Sequence, residues 1–240
     1  MLEKKKFIHN TRFSLPPLSI DPEGSVLVFD KPYCCTSFDL VGRVKRWIRE
    51  NLQVKMKVGH AGTLDPLATG VMIICVGPFT KKIDQYQGMD KEYTGTIRLG
   101  ATTPSYDLEK EVDQQYPISH ITEEMIRNAA QHFVGEIDQV PPLFSAVKIA
   151  GKRAYEYARE GEEVEIKSKK ITIHEFEITR IALPDVDFRI VCSKGTYIRS
   201  IARDFGLELD SGAHLTALRR TRIGDFRVED AYAVLGASEM

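Results

Sequence analysis

Gly59-His60-Ala61-Gly62-Thr63-Leu64-Asp65-Pro66-Leu67-Ala68-Thr69-Gly70 runs directly into Val71-Met72-Ile73-Ile74-Cys75-Val76. Three glycines and one proline within twelve residues exclude a regular helix over the first part. The six apolar residues that follow read as a buried strand. Asp65 precedes Pro66, which biases it toward extended backbone, and glycine lets the main chain approach a ligand closely. One carboxylate and one imidazole, Asp65 and His60, are therefore presented on an irregular loop that leads into the core. A Gly/Asp/Pro cluster alone is usually a solvated turn. The length of this loop, its apolar residues and its anchorage to a core strand favour a site.

On the N-terminal side, residues 1–24 carry Lys4-Lys5-Lys6, Pro16-Pro17 and Pro22 and read as an extended arm. Ser25–Asp30 is a strand, ended by Lys31-Pro32. Thr36-Ser37 offers an N-cap, and a helix runs to about Asn51 with Leu40, Val41, Val44, Trp47 and Ile48 as its apolar face. Its other faces are basic. Six cations lie between Arg43 and Lys57, against the single acid Glu50.

On the C-terminal side, a short helix is expected near Thr80–Gln87, then a strand from Lys91 to Gly100 with period-2 alternation. Core packing is the common fate of a strand tyrosine such as Tyr93. Ala101–Pro117 reads as an acidic irregular segment. Thr122 caps a helix that Gly135 stops. A short helix is expected at 153–159. Strands follow at Lys170–Ile181 and Val186–Ser193, the first with a bulge where alternation shifts from Ile173 to Phe176. Ser193–Thr196 opens a helix with Tyr197, Arg199 and Arg203 near its first turns. Gly212–Phe226 is a strand region, and Val228–Leu235 a short helix. Strands and helices mix without strict βαβ alternation, so the fold class is α+β around a largely antiparallel sheet.

The chain has 240 residues, 42% hydrophobic and 28% charged, and a net charge of −1, ordinary values for a soluble globular protein. Near-neutrality still permits a basic face. The four cysteines lack Cys-x-x-Cys spacing, which points to reduced thiols in a cytoplasmic protein without a zinc site. No signal-peptide pattern and no apolar run of membrane-spanning length occurs. Motifs for nucleotide phosphates, metals or a serine nucleophile are missing, so chemistry without metal or cofactor is expected.

The residues themselves nominate Asp65, Tyr93, Tyr197 and Arg199. Cleaving an N-glycosidic bond needs a carboxylate to stabilise an electron-poor ribose. Where the departing base is also the returning nucleophile, one carboxylate suffices. An arginine, here Arg199, would keep it ionised. His60 could fill the place vacated by an extruded base, and Tyr93 could offer that base a face.

Several blocks together resemble the TruB family of tRNA pseudouridine synthases. They are Asp30-Lys31-Pro32, Gly59–Gly77, Lys91-Glu92-Tyr93 with Arg98-Leu99-Gly100, Pro141–Lys148 with Gly151–Tyr155, Cys192–Arg199, and Gly212–Leu215 through Leu218-Arg219-Arg220. The resemblance implies the pseudouridine synthase fold: a mixed, largely antiparallel sheet flanked by helices, with a central RNA-binding cleft. It implies isomerisation of uridine 55 in the T-loop of tRNA, with the T-stem-loop as partner. By that resemblance Asp65 is the essential aspartate and Arg199 its partner. His60 inserts into the T-loop, and Tyr93 stacks on the flipped base. Tyr197 and Leu218 line the uracil pocket, and Lys31 supports the site from outside.

Residues 25–240 would form the catalytic domain, with 136–161 an RNA-gripping insertion and no C-terminal PUA domain. A monomer is expected. A non-catalytic tRNA-binding or folding module is the alternative reading, and a nucleoside hydrolase a third that lacks a water-activating partner. Attack by Asp65 on ribose C1′, attack on uracil C6, and a glycal route all stay open. Salt-dependent tRNA affinity, weakened by Lys45→Glu with Arg46→Glu, is expected if the basic helix meets phosphates.

Overall fold

The computed structural model describes residues 13–145, 147–149, 151–154, 156–157 and 164–236. In chain order these form β1 (Ser25–Lys31), α1 (Ser37–Asn51), β2 (Val58–His60), β3 (Thr69–Val76), α2 (Ile83–Gly88) and β4 (Lys91–Leu99). Then come α3 (Glu123–His132), β5 (Gly135–Gln139), β6 (Lys169–Ala182), β7 (Asp185–Cys192), α4 (Ile198–Glu208), β8 (Ala213–Ile223), β9 (Phe226–Arg227) and β10 (Tyr232–Ala233). Chain contacts divide into two compact units: one of residues 1–93 with 219–240, the other of 94–218.

β3 organises the first unit. β1 pairs antiparallel along its whole length, from Ser25 opposite Val76 to Lys31 opposite Gly70. On the other edge β2 pairs antiparallel, placing His60 opposite Ile74. Farther along that edge Arg219 and Arg220 pair in parallel with Thr69 and Gly70. Residues 61–68 leave the sheet between these two partners.

The apolar run of β3 is explained by burial of both its faces. Met72, Ile74 and Val76 pack with Leu40, Val41, Val44 and Ile48 of α1 and with Leu27 and Phe29 of β1. Val71, Ile73 and Cys75 pack on the opposite face with Tyr86 and Ile223. Gly70 is obligatory: its φ is +109°, and a Cβ there would lie 2.1 Å from the carbonyl oxygen of Arg220.

Helix α1 begins as its sequence dictates. The Thr36 side chain accepts from the Asp39 N–H, and the Asp39 carboxylate accepts from the Thr36 N–H, a reciprocal capping box. The arm is more ordered than expected over its described part. Phe13 and Leu18 are buried against the α1 face, and Phe13–Ser14 pairs with Leu235–Gly236. Residues 1–12 lie outside the described residues.

One local expectation is corrected. Val228–Leu235 is not a helix but a single 3-10 turn, Val228–Asp230, followed by β10, which runs parallel to Phe29 and Asp30. Packing the partly buried Tyr232 against the Phe29 ring, centroids 5.5 Å apart, favours extended backbone over so short a helix. The helix expected near Thr80–Gln87 is present as α2, Ile83–Gly88, entered through a 3-10 turn, Gly77–Lys82, that Pro78 opens.

In the second unit the strand order is β8, β4, β7, β6, β5. β6 and β7 form an antiparallel hairpin whose register shifts between Ile173 and Glu175, at the expected bulge, and again between Ile178 and Arg180. Phe133, Phe176, Phe188 and Phe205 form an aromatic core, with ring centroids 5.6–6.2 Å apart. The segment 101–117 is less solvated than its acidity suggests. Thr103, Ser105 and Asp107 are buried, with the Thr103 and Ser105 hydroxyls donating to the Asp107 carbonyl. The expected helix at 153–159 and the insertion at 136–161 fall partly outside the described residues.

Candidate active site

The nominated residues fall into two groups. Lys31, His60, Asp65 and Tyr93 belong to the first unit, and Tyr197, Arg199 and Leu218 to the second.

In the first unit, three buried side chains hold the Asp65 loop by its main chain. Ser37, in the first turn of α1, accepts from the Leu64 N–H at 2.9 Å and donates to the Leu64 carbonyl at 3.1 Å. Arg220 donates to the carbonyls of Val71 at 2.8 Å, Thr63 at 3.3 Å and Gly62 at 3.4 Å. Lys31, fully buried, donates to the carbonyls of Cys35 at 2.6 Å, Pro32 at 2.9 Å and Pro66 at 3.4 Å. The neighbours of Asp65 on both sides are thus fixed, and its half-buried carboxylate is presented from an immobilised loop. Such preorganisation is what a reacting group needs.

Burial pulls the Lys31 ammonium from 10.5 down to about 8, opposed in smaller part by Cys35 and by the Asp65 carboxylate. Lys31 and Asp65 therefore feel each other's charge. An amine whose native value lies below its unfolded value loses its proton first in the native state. The unfolded chain then binds more protons, so the Lys31 contribution to stability grows from about pH 8 to 10.5 and is lost as pH falls through 8. The stability difference between wild type and Lys31→Met should move in favour of wild type across that window by ~3 kcal/mol. Urea midpoints of both proteins at several pH values measure it, and a flat difference contradicts the assignment.

His60 ends β2. Burial first, then the Arg220 guanidinium, lowers its pKa, against a smaller opposing effect of the Gly62 carbonyl. Its Nδ1 is buried without a hydrogen-bond partner among the described residues. Tyr93 is a buried residue of β4.

In the second unit the start of α4 is fixed from the β5–β6 edge. Gln139, fully buried, accepts from the Tyr197 N–H at 2.8 Å and donates to the Tyr197 carbonyl at 3.1 Å. Lys169, register partner of Gln139, places its ammonium 4.4 Å from the centroid of the Tyr197 ring, where burial lowers its pKa. Arg199 is 5% exposed. It donates to the carbonyls of Phe144 at 3.0 Å and Ser105 at 3.3 Å, and its Nε lies 3.8 Å from the Asp107 carboxylate. Leu218 is a half-buried residue of β8. Gln139→Leu takes the acceptor from the Tyr197 N–H, while the Tyr197 carbonyl keeps the Ile201 N–H at 3.2 Å, so stability should fall by ~1–3 kcal/mol. A urea midpoint equal to wild type would contradict the clamp.

Arg220, Ser37, Gln139, Asp107 and Lys169 are the supports that sequence reasoning missed. Among the described residues, no group of three or more His, Cys, Asp and Glu side chains could hold a metal ion, and no helix is long and apolar enough to cross a membrane.

The family model for the N-terminal domain of TruB pseudouridylate synthases matches residues 49–198, and that for the tRNA pseudouridylate synthase B C-terminal domain matches residues 199–235. The chain belongs to the TruB pseudouridylate synthase family. Within it, the chain is 61% identical over 211 residues to tRNA pseudouridine synthase B of Flavobacterium johnsoniae, covering 87% of this chain and 92% of that protein. It is 58% identical over 213 residues to the protein of the same name from Phocaeicola vulgatus, covering 88% and 91%.

Among solved structures, a Cbf5–Nop10–Gar1 complex matches with a TM-score of 0.65 and 27% identity. The match covers 94% of this chain and 63% of that one. An H/ACA RNP bound to a substrate RNA containing 2′-deoxyuridine matches with a TM-score of 0.62 and 28% identity, covering 88% and 51%. The α+β class and the pseudouridine synthase fold expected from the sequence agree with these neighbours.

Proposed function

We infer that the chain is an isomerase that converts uridine to pseudouridine in tRNA, at position 55 of the T-loop. TruB family membership across residues 49–235 carries this reading. The clamped loop of Asp65 supports it chemically. The reaction breaks the bond between uracil N1 and ribose C1′, turns the base, and joins C5 to C1′. The C5 proton leaves, and N1 ends protonated.

In this reading Asp65 supplies the carboxylate and Arg199 holds it ionised. Tyr93 stacks on the flipped base, and Tyr197 and Leu218 line the uracil pocket. His60 occupies the place the base leaves. Lys31 keeps the loop in position from behind. Residues 25–240 act as the catalytic domain, with 136–161 gripping RNA. The protein works as a monomer in the cytoplasm, and the T-stem-loop is the part of tRNA it grips. A pure RNA-binding module gains nothing from an anion facing phosphates, which favours the enzyme.

The test is site mapping on an unmodified tRNA transcript, by carbodiimide adducts that stop primer extension. One stop in the T-loop is expected. Tight binding without any stop would sink the enzyme reading.

A further inference from the structure

Helix α1 carries an exposed stripe that the site does not use. Phe38, Gly42, Lys45, Arg46 and Arg49 are all exposed and fall at i, i+4, i+7, i+8 and i+11, one face of a helix. Phe38 is 75% exposed, the most exposed large apolar side chain among the described residues. A Cβ built on Gly42 meets nothing within 4 Å. Glycine in a helix interior weakens the helix relative to alanine, and no packing within the described residues asks for one here. The remaining three members of the stripe are cations.

The stripe also has a fixed starting point. Ser37, beside Phe38, holds Leu64 of the Asp65 loop by both its main-chain groups. From there the stripe runs about 16 Å along the helix.

We propose that this face of α1 is a track for the sugar–phosphate backbone of the substrate RNA, leading away from the Asp65 loop. Phe38 stacks on an unpaired nucleotide. Gly42 leaves the helix surface bare, so that the backbone settles against it. Lys45, Arg46 and Arg49 neutralise successive phosphates. The occupant is set by charge: three cations around one aromatic lack the apolar centre of a protein–protein interface and complement a polyanion. Arg43, by contrast, is turned away, with its guanidinium 4.8 Å from the Phe13 ring centroid. The proposal rests on the reading of the chain as a tRNA-modifying enzyme and adds a binding surface to it.

The experiment uses the full chain and an unmodified tRNA transcript, with Kd measured as a function of salt. Replacing Lys45, Arg46 and Arg49 together by Gln should lower the slope of log K against log salt by about 2 to 3. Gly42→Leu should weaken binding at least fivefold while the thermal midpoint holds or rises, because leucine is the better helix former. Phe38→Ala should weaken binding by a similar factor and Phe38→Trp restore it.

Kd values within twofold of wild type and an unchanged slope in all of these variants overturn the track. So does a variant that changes oligomeric state and not RNA binding. Wild type that modifies tRNA while the variants bind normally removes this inference alone. Wild type that binds tRNA without modifying it, with a reduced slope in the triple variant, upholds the track and removes the enzymatic reading.

Discussion

Asp65→Asn should abolish pseudouridine formation, with a fall in single-turnover rate of about 10⁴-fold or more, the scale on which an enzyme loses its reacting group. The substitution is isosteric. The three anchors of the loop hold main-chain atoms of Gly62, Thr63, Leu64, Pro66 and Val71, so none of them bonds to the carboxylate removed. The protein should fold as wild type does. It should bind tRNA as tightly or more tightly, because an anion near phosphates is gone. A second, smaller effect accompanies this. The Asp65 carboxylate raises the pKa of Lys31, so its loss lets that ammonium fall further below about 8. Carbodiimide mapping and rate measurement on the same transcript read the first effect. More than a tenth of wild-type rate in Asp65→Asn would remove the residue from the chemistry.

Arg220→Met should cost both stability and rate. Arg220 is 2% exposed, and its guanidinium serves three carbonyls of the loop and of β3. Methionine keeps most of the volume and none of the donors. Two effects oppose each other. Removing a buried cation relieves its desolvation, whereas orphaning buried acceptors costs about 1–3 kcal/mol for each one left dry. With three acceptors losing one donor group, the second effect wins, and a net loss of ~2–4 kcal/mol is expected. Displacement of the loop by about 1 Å would slow the reaction about 10²-fold. Arg220→Lys returns the charge without the planar fork and should recover only part of either loss. Urea unfolding and single-turnover rate check both. A variant with wild-type midpoint and a rate within threefold would show that the loop is held without Arg220.

Much of this arrangement is legible from residue order, because the signals are local. The apolar run of β3 reads as a buried strand since both its faces are covered. Thr36 and Thr122 announce helix starts through side-chain oxygens that reach the main chain three residues on. The bulge in β6 is visible as a slip in alternation at Ile173. Val228–Leu235 fails because its conformation is set by distant partners, Phe29, Asp30 and the Phe13–Ser14 pair, which outweigh local preference.

The loop anchors were hidden for the same reason. Ser37 reads as part of a helix cap, and Arg220 as one more residue of a strand region. One clue was nonetheless present: adjacent arginines in a strand face opposite ways. One of Arg219 and Arg220 had to point inward. Arg219, on the other face, pairs with Asp30 at 2.6 Å. Gln139 gave no such clue, since its task is set by a contact 58 residues away.

The parallel seat of Arg219 and Arg220 against Thr69 and Gly70 has a consequence for how the protein is born. Arg220 reaches a carbonyl 149 residues earlier in the chain. At ribosomal rates, about 8–30 s separate the synthesis of the two. Throughout that interval the Asp65 loop lacks one of its three anchors, and the edge of β3 at Gly70 has no neighbour. A nascent chain that has displayed every residue of the loop is therefore still not a working catalyst. Competence arrives late, with the emergence of the segment that begins at Arg219. Until then the uncovered strand edge is open to pairing with another copy.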